Sequence, residues 1–381
     1  MTKFGTFFLP GPTEVRPEIL ATLNRPLMEH RSSEFEAMFS RIQAGLSDAL
    51  LTARPVYVCT SSATGLMEMA IRNTPPGLIL SLVNGAFSER FAVVAESCAR
   101  TVRRLTVPDG ASFDIDAVEG ALAEGKFVAV TLAQSETSTG VLTDVRAIAT
   151  LAHDAGAMIL VDSVSGAGGV ELCVDAWGLD FLFTGSQKAF ALSPDATANA
   201  RPGGSANAVA SGAFIERSRG LPDRGYYFDI ERYDKMAATN QTPTTPATNL
   251  LYALEAQMGD IAREGIERRW DRHLRMRDMT LEWAETPSDT RDVDLRVVAD
   301  EFRRSPTVTT IALPAGMKAA DVVAAVAARG YTIGSGAGRL HDTTIRIGHM
   351  GDHTPDGVAA CLAVVDDALT QLTRRRAVSI V

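Results

Sequence analysis

Val161-Asp162-Ser163-Val164 and Gly185-Ser186-Gln187-Lys188 put an acid and a lysine 26 positions apart, each directly after a short apolar run. Those runs, residues 158–161 and 180–183, have the length of buried strands. Outward from them the same pattern repeats. Residues 55–60 read as a strand followed by a helical stretch at 64–73, and residues 78–83 as a strand followed by helical periodicity at 87–100. Residues 102–106 and 127–133 read as strands flanking an amphipathic helix that Asp114 caps, and residues 145–155 as a helix. Apolar strands alternating with helices specify an α/β fold with a mainly parallel sheet covered on both faces. In such sheets ligand chemistry collects in the loops at the carboxyl ends of the strands, which is where Asp162 and Lys188 stand.

The character changes after residue 192. Residues 193–211 are rich in Ala, Asn, Gly, Ser and Pro and read as a loop, as do residues 239–248. A long helical stretch follows at 250–285, its many charges on a solvated face. Residues 307–313 and 343–348 read as strands, with a helix at 318–329 between them. The last helix starts with Thr354 as N-cap and Pro355 at its first position. Val358, Cys361, Leu362, Val365, Leu369 and Leu372 form its apolar stripe. We expect a large domain over residues 15–255 and a smaller C-terminal α/β domain over 256–381, joined by residues 1–14.

Composition narrows the class of function. The 381 residues carry 37 basic and 46 acidic side chains, a net charge of −9. With 46% apolar and 22% charged residues the chain buries ordinary cores and is not a disordered polymer. An acidic chain without a basic block is a poor match to nucleic acid or to an anionic membrane. Its start has neither a secretory pattern nor a spanning run. Cys59, Cys98, Cys173 and Cys361 lie far apart and read as small buried hydrophobes of a reduced, cytoplasmic protein. His349 and His353 sit in a Gly-Asp-Pro loop and read as structural, so no metal is expected.

The acid and lysine suit pyridoxal phosphate. A lysine amine forms a Schiff base with its aldehyde, and a carboxylate pairs with the protonated pyridine nitrogen. Alone, Asp162 would be a loop cap and Lys188 a surface lysine; as a pair they read as catalytic. Thr60-Ser61-Ser62-Ala63-Thr64-Gly65 offers helix-start N–H groups to a phosphate, or a simple N-cap. Phe87 either stacks on a flat ring or packs a core. Thr137 in Gln134-Ser135-Glu136-Thr137-Ser138-Thr139-Gly140 either reaches the ring's phenolate or belongs to a turn. Arg346, in the otherwise apolar strand Ile345-Arg346-Ile347, must meet an anion, either a substrate carboxylate or an internal partner.

Taken together, the chain resembles the class V aminotransferases of fold type I, the group with alanine–glyoxylate, serine–pyruvate and serine–glyoxylate aminotransferases. The resemblance spans Leu9-Pro-Gly-Pro-Thr13, Glu29-His-Arg31, Ser62-Ala-Thr64, Asn84-Gly-Ala-Phe87, Glu136-Thr-Ser-Thr-Gly140, Asp162-Ser-Val164, Ser186-Gln-Lys188, Thr242-Pro-Thr-Thr-Pro246 and Arg346-Ile-Gly-His-Met-Gly351. It implies a Schiff-base role for Lys188, pairing of Asp162 with the ring nitrogen, and stacking by Phe87. It puts Thr137 near the phenolate, Val164 in the cofactor-binding set, and Ser62, Ala63, Thr64 and Gln187 around the phosphate. Thr242 or Thr245 would reach the phosphate of a neighbouring subunit, implying a homodimer, and Arg346 would hold the substrate carboxylate. The sequence departs from the pattern after the lysine. Members usually have a short Pro-Pro-Gly-Leu-Ala-type turn, whereas residues 191–207 here are longer and more polar.

The implied reaction is ping-pong transamination from a small amino acid, alanine or serine, to glyoxylate or pyruvate. A single recognisable carboxylate-binding arginine favours small uncharged side chains. Alternatives are an aminoethylphosphonate-type transaminase, a lyase, a cysteine desulfurase, or a non-catalytic cofactor-binding homologue. The desulfurase would need a reactive cysteine on a loop, whereas Cys361 lies on a helix stripe.

Overall fold

The structure, a computed structural model, describes residues 4–194, 205–287, 291 and 293–380. In chain order the first strands are β1 (Phe7–Phe8), β2 (Val56–Thr60), β3 (Leu78–Val83), β4 (Thr101–Thr106) and β5 (Phe127–Ala133). Then come β6 (Ser135–Glu136), β7 (Val141–Leu142), β8 (Met158–Asp162), β9 (Phe181–Gly185) and β10 (Ser205–Ala210). The last are β11 (Arg296–Val297), β12 (Val308–Ala312), β13 (Thr332–Ser335) and β14 (Thr344–Gly348). The helices begin with α1 (Pro17–Thr22), α2 (Ser33–Leu50), α3 (Ala63–Arg72), α4 (Ala86–Ser97), α5 (Ile115–Ala123) and α6 (Val145–Asp154). They continue with α7 (Gly212–Ser218), α8 (Ile230–Ala237), α9 (Thr248–Glu264), α10 (Ile266–Glu285), α11 (Ala319–Ala327) and α12 (Pro355–Ile380).

The larger sheet runs β2-β10-β9-β8-β5-β3-β4. Its neighbours are parallel except β10, which is antiparallel to both β2 and β9. β5, β8 and β9 are buried on both faces, which is why they read as unbroken apolar runs. Edge strand β4 carries Arg103 and Arg104 instead, charges that discourage pairing with another chain. One face packs on α2, α5, α6 and α9 through Phe39, Leu46, Val118, Ile148 and Leu254; the other packs on α3, α4 and α7 through Leu66, Phe91 and Phe214. Caps begin the helices where polar residues allow. Asp114 accepts from the Asp116 N–H, Asp144 from Ala147, and Thr354 from Gly357.

The smaller sheet runs β1-β13-β14-β12-β11. Phe8, Met276, Ile311, Ile345 and Ile347 form its core with Val358, Cys361, Val365 and Leu369 of α12. None of the helices among the described residues is long and apolar enough to cross a membrane.

Two expectations change here. The segment 193–211, read as loop, contains strand β10, with every residue from Ser205 to Ala210 buried. Ser-Ala-Asn-Ala-Val-Ala lacks the branched and aromatic residues that mark strands, and its strand state comes from its position between β2 and β9. Residues 195–204, most of the polar segment after the lysine, lie outside the described residues. The helical stretch at 250–285 is two helices, parted at Gly265 with φ +84°, a left-handed value that glycine accepts readily. α9 packs into the larger core as far as Ile261, whereas Met276 and Ala284 of α10 belong to the smaller one.

Candidate active site

The strand order explains the site. Because β5, β8 and β9 are adjacent, the residues following each emerge side by side: Ser135 to Thr137, Asp162 and Lys188. The ends of β2 and β3 add the starts of α3 and α4. A cavity of about 110 Å³ is lined by Ser62, Ala63, Thr64, Phe87, Thr137, Asp162, Val164, Gln187 and Lys188, together with Met67, Arg90, Ser135 and Ser165.

Asp162 is buried, and its Oδ1 accepts the Val164 N–H at 2.8 Å. Burial pushes its carboxyl up to about 7, with Glu136 adding to the rise and Lys188 opposing it. Lys188 is likewise buried, and burial pulls its amine down to about 7, assisted by the positive charge of Arg346. The amine donates to the Pro10 carbonyl and lies 5.8 Å from the centre of the Phe87 ring. Behind it, Thr13 donates its N–H to the Gln187 carbonyl at 3.0 Å and its hydroxyl to the Lys188 carbonyl at 3.1 Å. The strap Leu9 to Thr13 is therefore pinned to the lysine loop. Arg269, also buried, donates to the Ala189 carbonyl at 2.7 Å and pairs with Asp352 at 2.9 Å.

Phe87 is held by a buried anion. Glu136 accepts from the N–H groups of Phe87, Ser88 and Ser138 and from both serine hydroxyls. A carboxylate at the first turn of α4 complements the helix dipole. Ser62, the N-cap of α3, makes no side-chain cap bond, and although the Gly65 N–H donates to the Ser62 carbonyl at 2.9 Å, the Ala63 and Thr64 N–H groups remain to meet an anion. The Thr137 and Ser165 hydroxyls bond each other.

Arg346 comes from the other sheet. It donates through Nε to the Ser335 carbonyl at 2.8 Å and through Nη1 to the Thr137 carbonyl at 3.3 Å, and pairs with no carboxylate among the described residues. Burial lowers its pKa, and Glu136 partly offsets this. Arg346 is not part of the cavity wall, but it adjoins Thr137, which is. Thr242 and Thr245 are also outside it. Thr242 is buried and donates to the Thr244 carbonyl at 2.8 Å, and Thr245 is exposed. His349, buried, bonds the Pro306 carbonyl at 2.9 Å and Thr309 at 2.8 Å.

The class-V aminotransferase family matches residues 21–195. An uncharacterized aminotransferase of Methanocaldococcus jannaschii is 32% identical over 370 residues, which cover 96% of this chain and 92% of that one. The chain belongs to the class-V aminotransferases. The L-aspartate–glyoxylate aminotransferase of Paracoccus denitrificans is 32% identical over 381 residues, 96% of this chain and 92% of its own. The alanine–glyoxylate aminotransferase of Nostoc sp. superposes with a TM-score of 0.87 at 27% identity, over 96% of this chain and 95% of that one.

The cofactor of this class V aminotransferase is pyridoxal phosphate. The residues present fit it. A buried amine, a buried carboxylate one strand away, an aromatic ring and a helix start without a side-chain cap all face one cavity. Arg90, Met67, Ser135 and Ser165 were not singled out from sequence. Arg90 stands three positions after Phe87 on one helix, a spacing that places both on one face and was the available signal.

Proposed function

We propose that this aminotransferase moves the amino group of alanine or serine to glyoxylate or pyruvate, with Lys188 as the reacting amine. The observation that carries the reading is Lys188 and Asp162, both buried, at the ends of neighbouring strands on one cavity. When bound, pyridoxal phosphate supplies an aldehyde for amines and a ring that draws in electrons from a broken bond. Asp162, whose burial raises its carboxyl to about 7 in the cofactor-free site, would pair as a carboxylate with the protonated ring nitrogen and hold it charged. Lys188, pulled down to about 7, is substantially neutral at physiological pH and takes the proton from the substrate's α-carbon. Arg346 offers its guanidinium fork to the substrate carboxylate. Phe87 would stack on the ring, Thr137 would bind near the phenolate with Val164 in the same set, and Ser62, Ala63, Thr64 and Gln187 would hold the phosphate.

The relatives named for alanine and L-aspartate with glyoxylate support the acceptor and leave the donor to the test. Thr242 or Thr245, both outside the cavity of their own chain, reaches the partner's phosphate in a homodimer. The two apolar cores support two units, 15–255 and 256–381 with 1–14, with α9 spanning the junction. The free cysteines suit the reducing cytoplasm, where we place the enzyme. The test is a donor screen with L-alanine, L-serine and L-aspartate against glyoxylate. Faster turnover of alanine or serine supports the reading, and preference for aspartate overturns the donor.

A further inference from the structure

We propose that Arg90 is the cation that neutralises the phosphate of pyridoxal phosphate in this site, an inference that rests on the cofactor reading above. A phosphate monoester carries about 1.5 to 2 negative charges at neutral pH. The groups assigned to it, Ser62, Ala63, Thr64 and Gln187 with Thr242 or Thr245 from a second copy of the chain, are all neutral. A helix start contributes only about half a unit of positive charge.

The wall of the cavity holds two basic side chains, Lys188 and Arg90. Lys188 is committed to the aldehyde. Arg90 has no hydrogen-bond or ion-pair partner among the described residues. The nearby carboxylates are engaged elsewhere: Glu89 and Glu96 both pair with Arg104. Its recorded contact is with Phe87, whose ring centre lies 5.0 Å from the guanidinium carbon. Stacking there holds the exposed Arg90 side chain at the cavity, whose wall also includes Thr64 and Met67 of α3.

The other candidate cation has a different position. Arg346 is tied to the carbonyls of Ser335 and Thr137 on the small-sheet side and lies outside the cavity wall. Arg90 is among the charges that act on Asp162, and Arg346 acts on Lys188 more strongly than Arg90 does. The two arginines thus serve different anions: Arg346 the substrate carboxylate, Arg90 the cofactor phosphate.

The experiment titrates cofactor-free wild type, Arg90→Gln and Arg90→Lys with pyridoxal phosphate and, separately, with pyridoxal, which lacks the phosphate. Visible absorption and tryptophan fluorescence report binding. Arg90→Gln is expected to weaken pyridoxal phosphate about tenfold or more, the loss of one charge-assisted bond, and to leave pyridoxal affinity unchanged. Arg90→Lys recovers most of the loss. Added salt weakens pyridoxal phosphate binding in wild type more than in Arg90→Gln. Unchanged pyridoxal phosphate affinity in Arg90→Gln overturns the proposal. Equal losses for both ligands also overturn it, assigning Arg90 to the orientation of Phe87. A wild type that binds neither ligand sinks the cofactor reading itself, a result distinct from these.

Discussion

The side chain of Lys188 passes directly over Gly11: a Cβ placed on Gly11 would stand 2.3 Å from Lys188 Cδ and 2.6 Å from its Nζ. Gly11 also has φ +108°, a value that side chains rarely adopt. The clash falls on a flexible chain end, so the lysine must move, and the left-handed backbone at Gly11 is strained as well. We expect Gly11→Ala to retain pyridoxal phosphate and to lower kcat about 100-fold, as a misplaced reacting group does. Steady-state kinetics with a cofactor-binding titration decide it; unchanged kcat would mean that the strap does not position the lysine.

Asp162 couples activity to stability in opposite directions. Its folded-state carboxyl titrates at about 7 against a usual 3.8, so between those values the folded chain holds a proton that the unfolded chain has released. Asp162 therefore costs stability increasingly as pH rises through that window, and the whole cost stands above it. Asp162→Asn removes the charge and keeps an acceptor for the Val164 N–H. Thermal melts of the cofactor-free protein at about pH 8 should show a higher Tm for Asp162→Asn, with kcat strongly reduced. A lower Tm would contradict the burial argument.

For Glu136 the expectation is structural. Its carboxylate satisfies N–H groups and hydroxyls that hold the first turn of α4. Glu136→Ala leaves the Phe87, Ser88 and Ser138 N–H groups without that acceptor, while the Ser88 hydroxyl keeps the Asn84 side chain and the Gly85 carbonyl, and chemical denaturation should show a loss of about 3 kcal/mol. A loss near zero would show that water replaces the carboxylate.

Much of this site was legible because strand ends in a parallel sheet concentrate ligands, and buried parallel strands announce themselves as apolar runs. β3 and β5 span the residues read as strands from sequence. What stayed hidden depends on distant packing. β10 is made of small residues whose strand state comes from its neighbours. The break at Gly265 arises because α9 and α10 pack into different cores, and a lone glycine in a helical pattern is otherwise tolerated for about 1 kcal/mol. The strap Leu9 to Thr13 meets Lys188 from 175 to 178 positions away in sequence, a contact that no local pattern encodes.

Arg346→Ala should raise KM for the amino donor by about two orders of magnitude, because a forked charge-assisted contact is lost. Cofactor affinity should be unchanged, since Arg346 lies outside the cavity wall. Unchanged KM would remove its assigned role.

The central claim is that Lys188 and Asp162 operate a transamination site. Its most direct test follows visible absorption of the protein loaded with pyridoxal phosphate, in wild type and Lys188→Ala. The account expects the wild-type band to disappear on adding L-alanine or L-serine and to return on adding glyoxylate, with no such cycle in Lys188→Ala. A wild-type band indifferent to each amino acid, or an unimpaired cycle without Lys188, would contradict it.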